Sequence, residues 1–257
     1  MFHSVASPGK RTWLLLLFVV WAGLLLSAYL FASNEQISLW ARMGSSLTLA
    51  VAGWSWYVFL RDKYTATFRL LVAVGITLGF LGDLFMAGLV PIAEPMLGGI
   101  AAFGCGHLAY IAAFVHFSNR YGLTAPVPRR GGLAAWLLVG LVGWLAIVSP
   151  SSEPAGLRWA ALPYTLLLAS TAGCATGLAL QAPPFRWLAW GAGLFLLSDL
   201  ILAAEHFLES HPSWIGAFVW LTYGPGQMLI VYGGNGALAA VKKTPARNRP
   251  GDLATES

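Results

Sequence analysis

"RLLVAVGITLGFLGDLFMAGLV" occupies residues 69–90, and beyond the arginine at its start its one charged side chain is Asp83. About 20 apolar residues are what an α-helix needs to cross roughly 30 Å of hydrocarbon. Runs of the same kind recur near 13–32, 39–60, 97–117, 133–149, 160–180, 186–207 and 214–238. The 257-residue chain is 58% hydrophobic and 10% charged, against about 25% charged in ordinary soluble domains. These runs predict an all-α, polytopic membrane protein built as a bundle of eight transmembrane helices. One domain is expected over residues 1–241, followed by a short disordered cytoplasmic tail over 242–257 that is rich in Pro, Arg and Asn. Lys10 and Arg11 precede the first run in the manner of a signal peptide, but its length and bulky end fit an uncleaved span.

The connections alternate in charge, which checks the span count independently. Thirteen of the fifteen basic residues fall before span 1, between spans 2 and 3, 4 and 5, 6 and 7, or after span 8. The opposite connections hold Arg42 and Arg158 with Glu35, Glu94, Glu153 and Glu209. Positive residues stay on the cytoplasmic side, so both termini are expected there, and an odd number of spans would scramble the pattern. A bacterial inner membrane is the default reading for so compact a chain. The net charge of +5 is explained by these orienting loops and calls for no nucleic-acid partner. Cys105 and Cys174 both fall inside apolar runs and read as small buried hydrophobes, with neither a disulfide nor a metal site indicated.

Two of the ten acidic residues, Asp83 and Asp199, fall at membrane depth. A charge at a helix centre costs about 2.5–3.5 kcal/mol on insertion scales, so such residues face a cavity or a partner and mark function. Counted from the basic residues of the cytoplasmic loops, Asp83, Asp199, His107 and Gln227 lie 14, 13, 13 and 15 residues in. At about 1.5 Å per residue they share one layer. "FLGDLFMAG" (80–88) and "LLSDLILAA" (196–204) share a small residue, Asp and Leu in order. Asp83 precedes His107 by 24 residues and Asp199 precedes Tyr223 by 24. Spans 3 and 7 run the same way, so this pattern would be a parallel four-plus-four repeat with a site between its halves.

Helical spacing adds Tyr110, three residues after His107, and pairs Tyr223 with Gln227, four apart in "TYGPGQ". Pro225 removes a backbone donor between that pair, so span 8 is expected to be kinked or unwound at depth, which is tolerated beside a cavity. Glu205 and His206 read as facing headgroups at the outer interface, and the glycines of "FGCGH" (103–107) as close helix packing. The bland reading of the aspartates is a neutral pair that joins helices by hydrogen bonds, a job that a cheaper amide or hydroxyl could do.

Taken together, "GDLFM", "FGCGHLAYIAAF", "GLFLLSDLILAAEHF" and "LTYGPGQMLIVYG" resemble the YhhN family of membrane proteins, which includes the animal TMEM86 lysoplasmalogenases. The resemblance is specific over spans 3–4 and 7–8 and extends to the whole chain in length and span number. It implies hydrolysis of the vinyl ether bond of a lysophospholipid, the lysoplasmalogen, giving a fatty aldehyde and a glycerophospho-base. It also implies that Asp83 and Asp199 are catalytic. "YGPGQ" departs from the family pattern, in which bulkier or alanine-like residues more often separate Tyr from Gln, and this touches the geometry of span 8.

The chemistry suits the residues independently. Vinyl ether hydrolysis is limited by protonation of the β-carbon, and water then attacks the resulting oxocarbenium ion. One carboxyl must hold a proton and another must have lost it, as in glycoside hydrolysis. Asp83 and Asp199 are expected to fill these two roles in an unassigned order, with His107, Tyr110, Tyr223 and Gln227 positioning water or the glycerol. No metal or cofactor enters the scheme. The rival readings are a proton-coupled carrier of small amphiphiles, which also needs acids at depth and a broken helix, and a lipid-binding scaffold.

Overall fold

The computed structural model describes residues 7–60, 65–209 and 215–243, and the regular structure among them is entirely helical. In order these helices are α1 (Pro8–Leu30), α2 (Glu35–Phe59), α3 (Ala66–Met86), α4 (Pro95–Arg120), α5 (Pro126–Gly143), α6 (Ala155–Gln181), α7 (Arg186–Phe207), α8 (Ile215–Met228) and α9 (Gly234–Lys243). A π-helical turn, Trp144–Val148, extends α5, and another, Leu229–Gly233, joins α8 to α9. Arg61, Lys63 and residues 244–257, most of the expected tail, lie outside the described residues.

Local chemistry sets the helix starts. α1, α4 and α5 open on proline, whose missing N–H would be unsatisfied in a first turn anyway. α2 is capped by Asn34, whose side chain accepts from the Ile37 amide at 3.2 Å. α3 ends at Met86, four residues short of the predicted run, because Gly88 turns the chain at φ +67° and Pro91 follows. Asp83 therefore stands within one turn of the end of its helix.

Six described helices are long and apolar enough to cross a membrane: α1, α3, α4, α5 with its π turn, α6, and α7 with the short 3₁₀ turn before it. Their outward faces are apolar, with Leu16, Val19, Leu138, Val142, Trp190 and Leu197 all exposed. A surface of that extent needs hydrocarbon around it. α2 has 25 residues but carries Glu35, Arg42 and several serines, and the last stretch is divided into shorter pieces. Pro225 remains inside α8, and the irregular backbone comes one turn later, as the π turn after Gln227.

Successive helices pack as neighbours from α1 to α4 and from α5 to α8, and α4 packs against α6 to join the two sets. Two close crossings hold the helices that carry the aspartates. A Cβ on Gly106 of α4 would lie 2.9 Å from the Gly75 carbonyl oxygen of α3, and one on Gly191 of α7 would lie 2.7 Å from that of Gly226 on α8. The expectation of close packing in "FGCGH" thus holds at Gly106. Gly75 and Gly191 each precede the aspartate of their own helix by eight residues. Cys105, expected in the interior, is exposed, because its neighbours Gly104 and Gly106 take the packed face of α4. Cys174 is partly buried, and both thiols are free.

Away from the aspartates the core closes with aromatic rings, Phe68 meeting Phe114, Phe117 and Phe185. Beside them the buried Arg69 donates to the Leu60 carbonyl at 2.7 Å and to Asn235 Oδ1 at 3.1 Å. The Asn235 amide donates in turn to the Val231 carbonyl within the π turn at 2.7 Å. The core between α3, α4 and α9 is therefore pinned at this end by polar groups and aromatic packing, while a cavity of about 710 Å³ opens between α4, α5 and α6.

Candidate active site

Asp83 and Asp199 line one cavity of about 230 Å³. It lies at the end of the bundle where α2 and α8 begin and α3 and α7 finish. Its wall includes Arg42 and Met43 of α2, Phe103 of α4, Glu205 and His206 of α7, and Trp220 and Tyr223 of α8. Asp83 is 5% exposed, whereas Asp199 is half-buried.

Each carboxyl accepts from a hydroxyl of the helix before its own. Ser46 of α2 donates to Asp83 Oδ2, and the Tyr223 hydroxyl is within hydrogen-bonding reach of the same carboxyl. Tyr164 of α6 donates to Asp199 Oδ2; the Ser198 hydroxyl lies 3.2 Å from Oδ1 but 2.7 Å from the Phe195 carbonyl oxygen, the shorter of its two acceptors. Ser46 lies 37 residues before Asp83, and Tyr164 lies 35 before Asp199. In both cases the donor comes from the helix preceding the aspartate's own.

The other residues singled out from the sequence divide into two groups. Tyr223 is on the cavity wall; His107, Tyr110 and Gln227 stand behind it, each 2% exposed or less. Gln227 Nε2 donates to the Tyr223 oxygen, which places the amide directly behind the cavity wall. A Cβ on Gly79 would meet Gln227 Nε2 at 3.0 Å, so the bare backbone of α3 at that point leaves room for the amide. His107 Nδ1 lies 3.0 Å from the Thr171 hydroxyl of α6, and its ring packs edge-on to Phe195 with centroids 4.5 Å apart. Buried His107 Nε2, Tyr110 Oη and Gln227 Oε1 have no hydrogen-bond partner among the described residues. Also among the described residues, no three His, Cys, Asp or Glu side chains gather closely enough to hold a metal ion.

The sequence reading missed Ser46, Tyr164 and Thr171. Extending the repeat from spans 3 and 7 back to spans 2 and 6 would have pointed to the first two, since their offsets from the aspartates nearly match.

A second, apolar pocket adjoins the first. Met86, Phe103, Asp199, Leu202 and His206 line both, and beyond them the apolar lobe runs between α4, α6 and α7 past Ile100, Leu168 and Leu196. Asp199 sits in the wall that the two lobes share. The apolar lobe is the smaller of the two, about 60 Å³ against 230 Å³, and has room for the first few carbons of an apolar chain.

Comparison with known proteins gives the same family as the motifs. The YhhN family matches residues 40–234, which takes in α3, α4, α7, α8 and both aspartates. This chain belongs to the YhhN family. It is therefore an integral, multi-pass membrane protein. It is 29% identical over 211 residues to human "Lysoplasmalogenase TMEM86B", with 78% of each chain covered. It is 35% identical over 143 residues to the pig protein of the same name, with 53% of each covered. No solved structure matches the chain.

Proposed function

We propose that this YhhN protein hydrolyses the vinyl ether bond of lysoplasmalogens, releasing a fatty aldehyde and a glycerophospho-base, by acid/base catalysis at Asp83 and Asp199. One observation carries the reading: both aspartates line a single cavity that shares a wall with a small apolar lobe, in a family whose curated relatives are named lysoplasmalogenases. The first carbons of the hydrocarbon chain lie in the apolar lobe and the rest runs out between helices, with the headgroup in the polar cavity and the vinyl ether at the shared wall.

The steps follow from this placement. Asp199, on the chain side, gives its proton to the β-carbon of the enol ether, and the double-bond electrons form the new C–H bond. The cation left on the α-carbon is shared with the ether oxygen and stabilised by the carboxylate of Asp83. Asp83 then takes a proton from water as the water oxygen bonds to the α-carbon, giving a hemiacetal. The hemiacetal collapses as its hydroxyl proton passes to the departing glycerol oxygen, and the proton taken from water returns to the carboxylate that gave one up. Such paired carboxylates are the logic of glycoside hydrolases. Tyr223, backed by Gln227, orients Asp83, and Tyr164 orients Asp199. His107 fixes α4 against α6, and Tyr110 supports the packing behind Asp83.

The fold carries further proposals. All eight helical columns span the membrane, α2 and the α8–α9 column included, as one domain over residues 1–241. Both termini and the tail over 242–257 face the cytoplasm, and the membrane is a bacterial inner membrane. The matched donors Ser46 and Tyr164, and the paired positions of Gly75 and Gly191, support a parallel four-plus-four repeat.

The test is aldehyde release by purified protein in detergent. Wild-type protein cleaves a 1-alkenyl lysophosphatidylethanolamine, and Asp83→Asn and Asp199→Asn each lower the rate by about 10²–10⁴-fold while remaining monodisperse. Full turnover by either variant overturns the dyad. Activity that required sealed vesicles and a proton gradient would point to a carrier.

A further inference from the structure

The cavity that holds the aspartates also holds one strong cation and one strong anion that the chemistry above leaves unused. Arg42 and Glu205 both line it, close enough for their charges to interact, and both are only partly buried. Neither is placed by chance in the local geometry. Arg42 is one helical turn from Ser46, the residue that holds Asp83, so its side chain leaves α2 on the same face, nearer the mouth. Its guanidinium carbon lies 5.5 Å from the centroid of the Trp220 ring. Glu205 is six residues beyond Asp199 toward the same end of α7, and its carboxylate leans over Gly216, where a Cβ would stand 3.0 Å from Oε1. A cation, an anion and an aromatic ring thus form a rim about one to two helical turns outside the dyad.

We infer that Arg42, Glu205 and Trp220 form a subsite for a zwitterionic headgroup, with Arg42 on the phosphodiester and Glu205 on the terminal amine. This rests on the proposed reaction, because it sets the substrate's polar end against the rim when its ether lies at Asp199. The separation suits the substrate: only the three carbons of glycerol lie between the ether oxygen and the phosphate ester oxygen, comparable to one helical turn. Arginine suits a phosphodiester because its planar fork of donors matches two phosphate oxygens. The amine lies next in the substrate, as Glu205 does on the rim, and a methylated amine would also meet the face of Trp220. A carboxylate at this place would repel a substrate that ended in bare phosphate. The rim therefore selects for an amine-bearing phosphodiester over both a headgroup-free alkenylglycerol and an alkenyl glycerophosphate.

Binding of saturated ethers, which the reaction cannot cleave, tests the subsite without depending on catalysis. Radiolabelled alkyl lysophosphatidylethanolamine, alkyl glycerophosphate and alkylglycerol of one chain length are each titrated onto the purified, full-length protein in detergent. Wild-type protein should bind the ethanolamine lipid about tenfold or more tightly than the alkylglycerol. Arg42→Gln should erase that preference, leave alkylglycerol binding unchanged and be partly rescued by Arg42→Lys. Glu205→Gln should erase discrimination between the ethanolamine lipid and the glycerophosphate. Equal affinity of wild-type protein for the ethanolamine lipid and the alkylglycerol overturns the subsite, as does an unchanged preference in Arg42→Gln. If Arg42→Gln fails to fold, which loss of alkylglycerol binding would reveal, Glu205→Gln decides: retained discrimination sinks the proposal. A wild-type protein that shows this binding pattern but releases no aldehyde from any alkenyl lipid overturns the reaction and leaves the subsite standing.

Discussion

Adding one methyl group to α7 at Gly191 should damage the site two turns away. A Cβ there would stand 2.7 Å from the Gly226 carbonyl oxygen and 2.9 Å from the Ile230 amide nitrogen. Both are backbone atoms of the facing column and cannot rotate aside. To restore ordinary contact the two columns must part by roughly half an ångström or more, at an overpacking cost of about 1–3 kcal/mol. Alanine in place of a helical glycine returns about 0.8–1.0 kcal/mol of propensity, so the net loss is about 0–2 kcal/mol. Asp199 lies eight residues along the same helix and Tyr223 on the facing one. Separation of the two misplaces groups that must act together, and a shift of about 1 Å costs on the order of 10²-fold in rate. Gly191→Ala is expected to lower kcat by about tenfold. The control is Gly104→Ala, where a Cβ would lie 3.7 Å from Leu167 Cδ1, an ordinary contact. That variant gains the same propensity without overlap and should match or exceed wild-type stability. Thermal unfolding in detergent and initial rates of aldehyde release, taken on both variants, read the difference. Equal behaviour of the two would refute the claim that the α7–α8 crossing sets the position of the carboxyl.

Other expectations concern the groups around the dyad. The double variant Asp83→Asn/Asp199→Asn should be no slower than the worse single variant, since residues that act as a unit are not additive; losses that multiply would argue for independent roles. Tyr164→Phe and Ser46→Ala each remove a hydroxyl donor from a carboxyl, and each should lower kcat by about tenfold, the worth of a hydrogen bond to a charged group, with KM little changed in steady-state assays. Thr171→Val removes the partner of His107 Nδ1 and should cost about 1–3 kcal/mol in unfolding, with a smaller effect on turnover than either hydroxyl at the carboxyls.

Asp83 and Asp199 were legible in the sequence because a carboxyl in an apolar run is costly, and the charge alternation gave both a depth. Their convergence on one cavity follows from that depth and from the parallel course of α3 and α7. Ser46 and Tyr164 were not legible, since a serine among small residues and a tyrosine near the start of a span are common, and only packing shows which way they face. Arg42 and Glu205 were read as loop or interface charges for a related reason: distance along the chain says how far a residue lies from the cytoplasmic side, not that the bundle opens beside it. Pro225 signalled irregular backbone in the last column correctly in kind but not in place, because α8 carries the proline through and the extra residue enters at the π turn.

The early end of α3 bears on where substrate comes from. Asp83 stands within a turn of the helix terminus, and the charged rim lies toward the same end, whereas Phe68, Phe117 and the bonded Arg69 fill the core of α3 and α4 on the other side of the dyad. A lysolipid keeps its headgroup at the surface of the leaflet it occupies. On the proposed reaction, such a site would draw from the leaflet beside the rim, and the same lipid in the opposite leaflet would be spared until something turned it over.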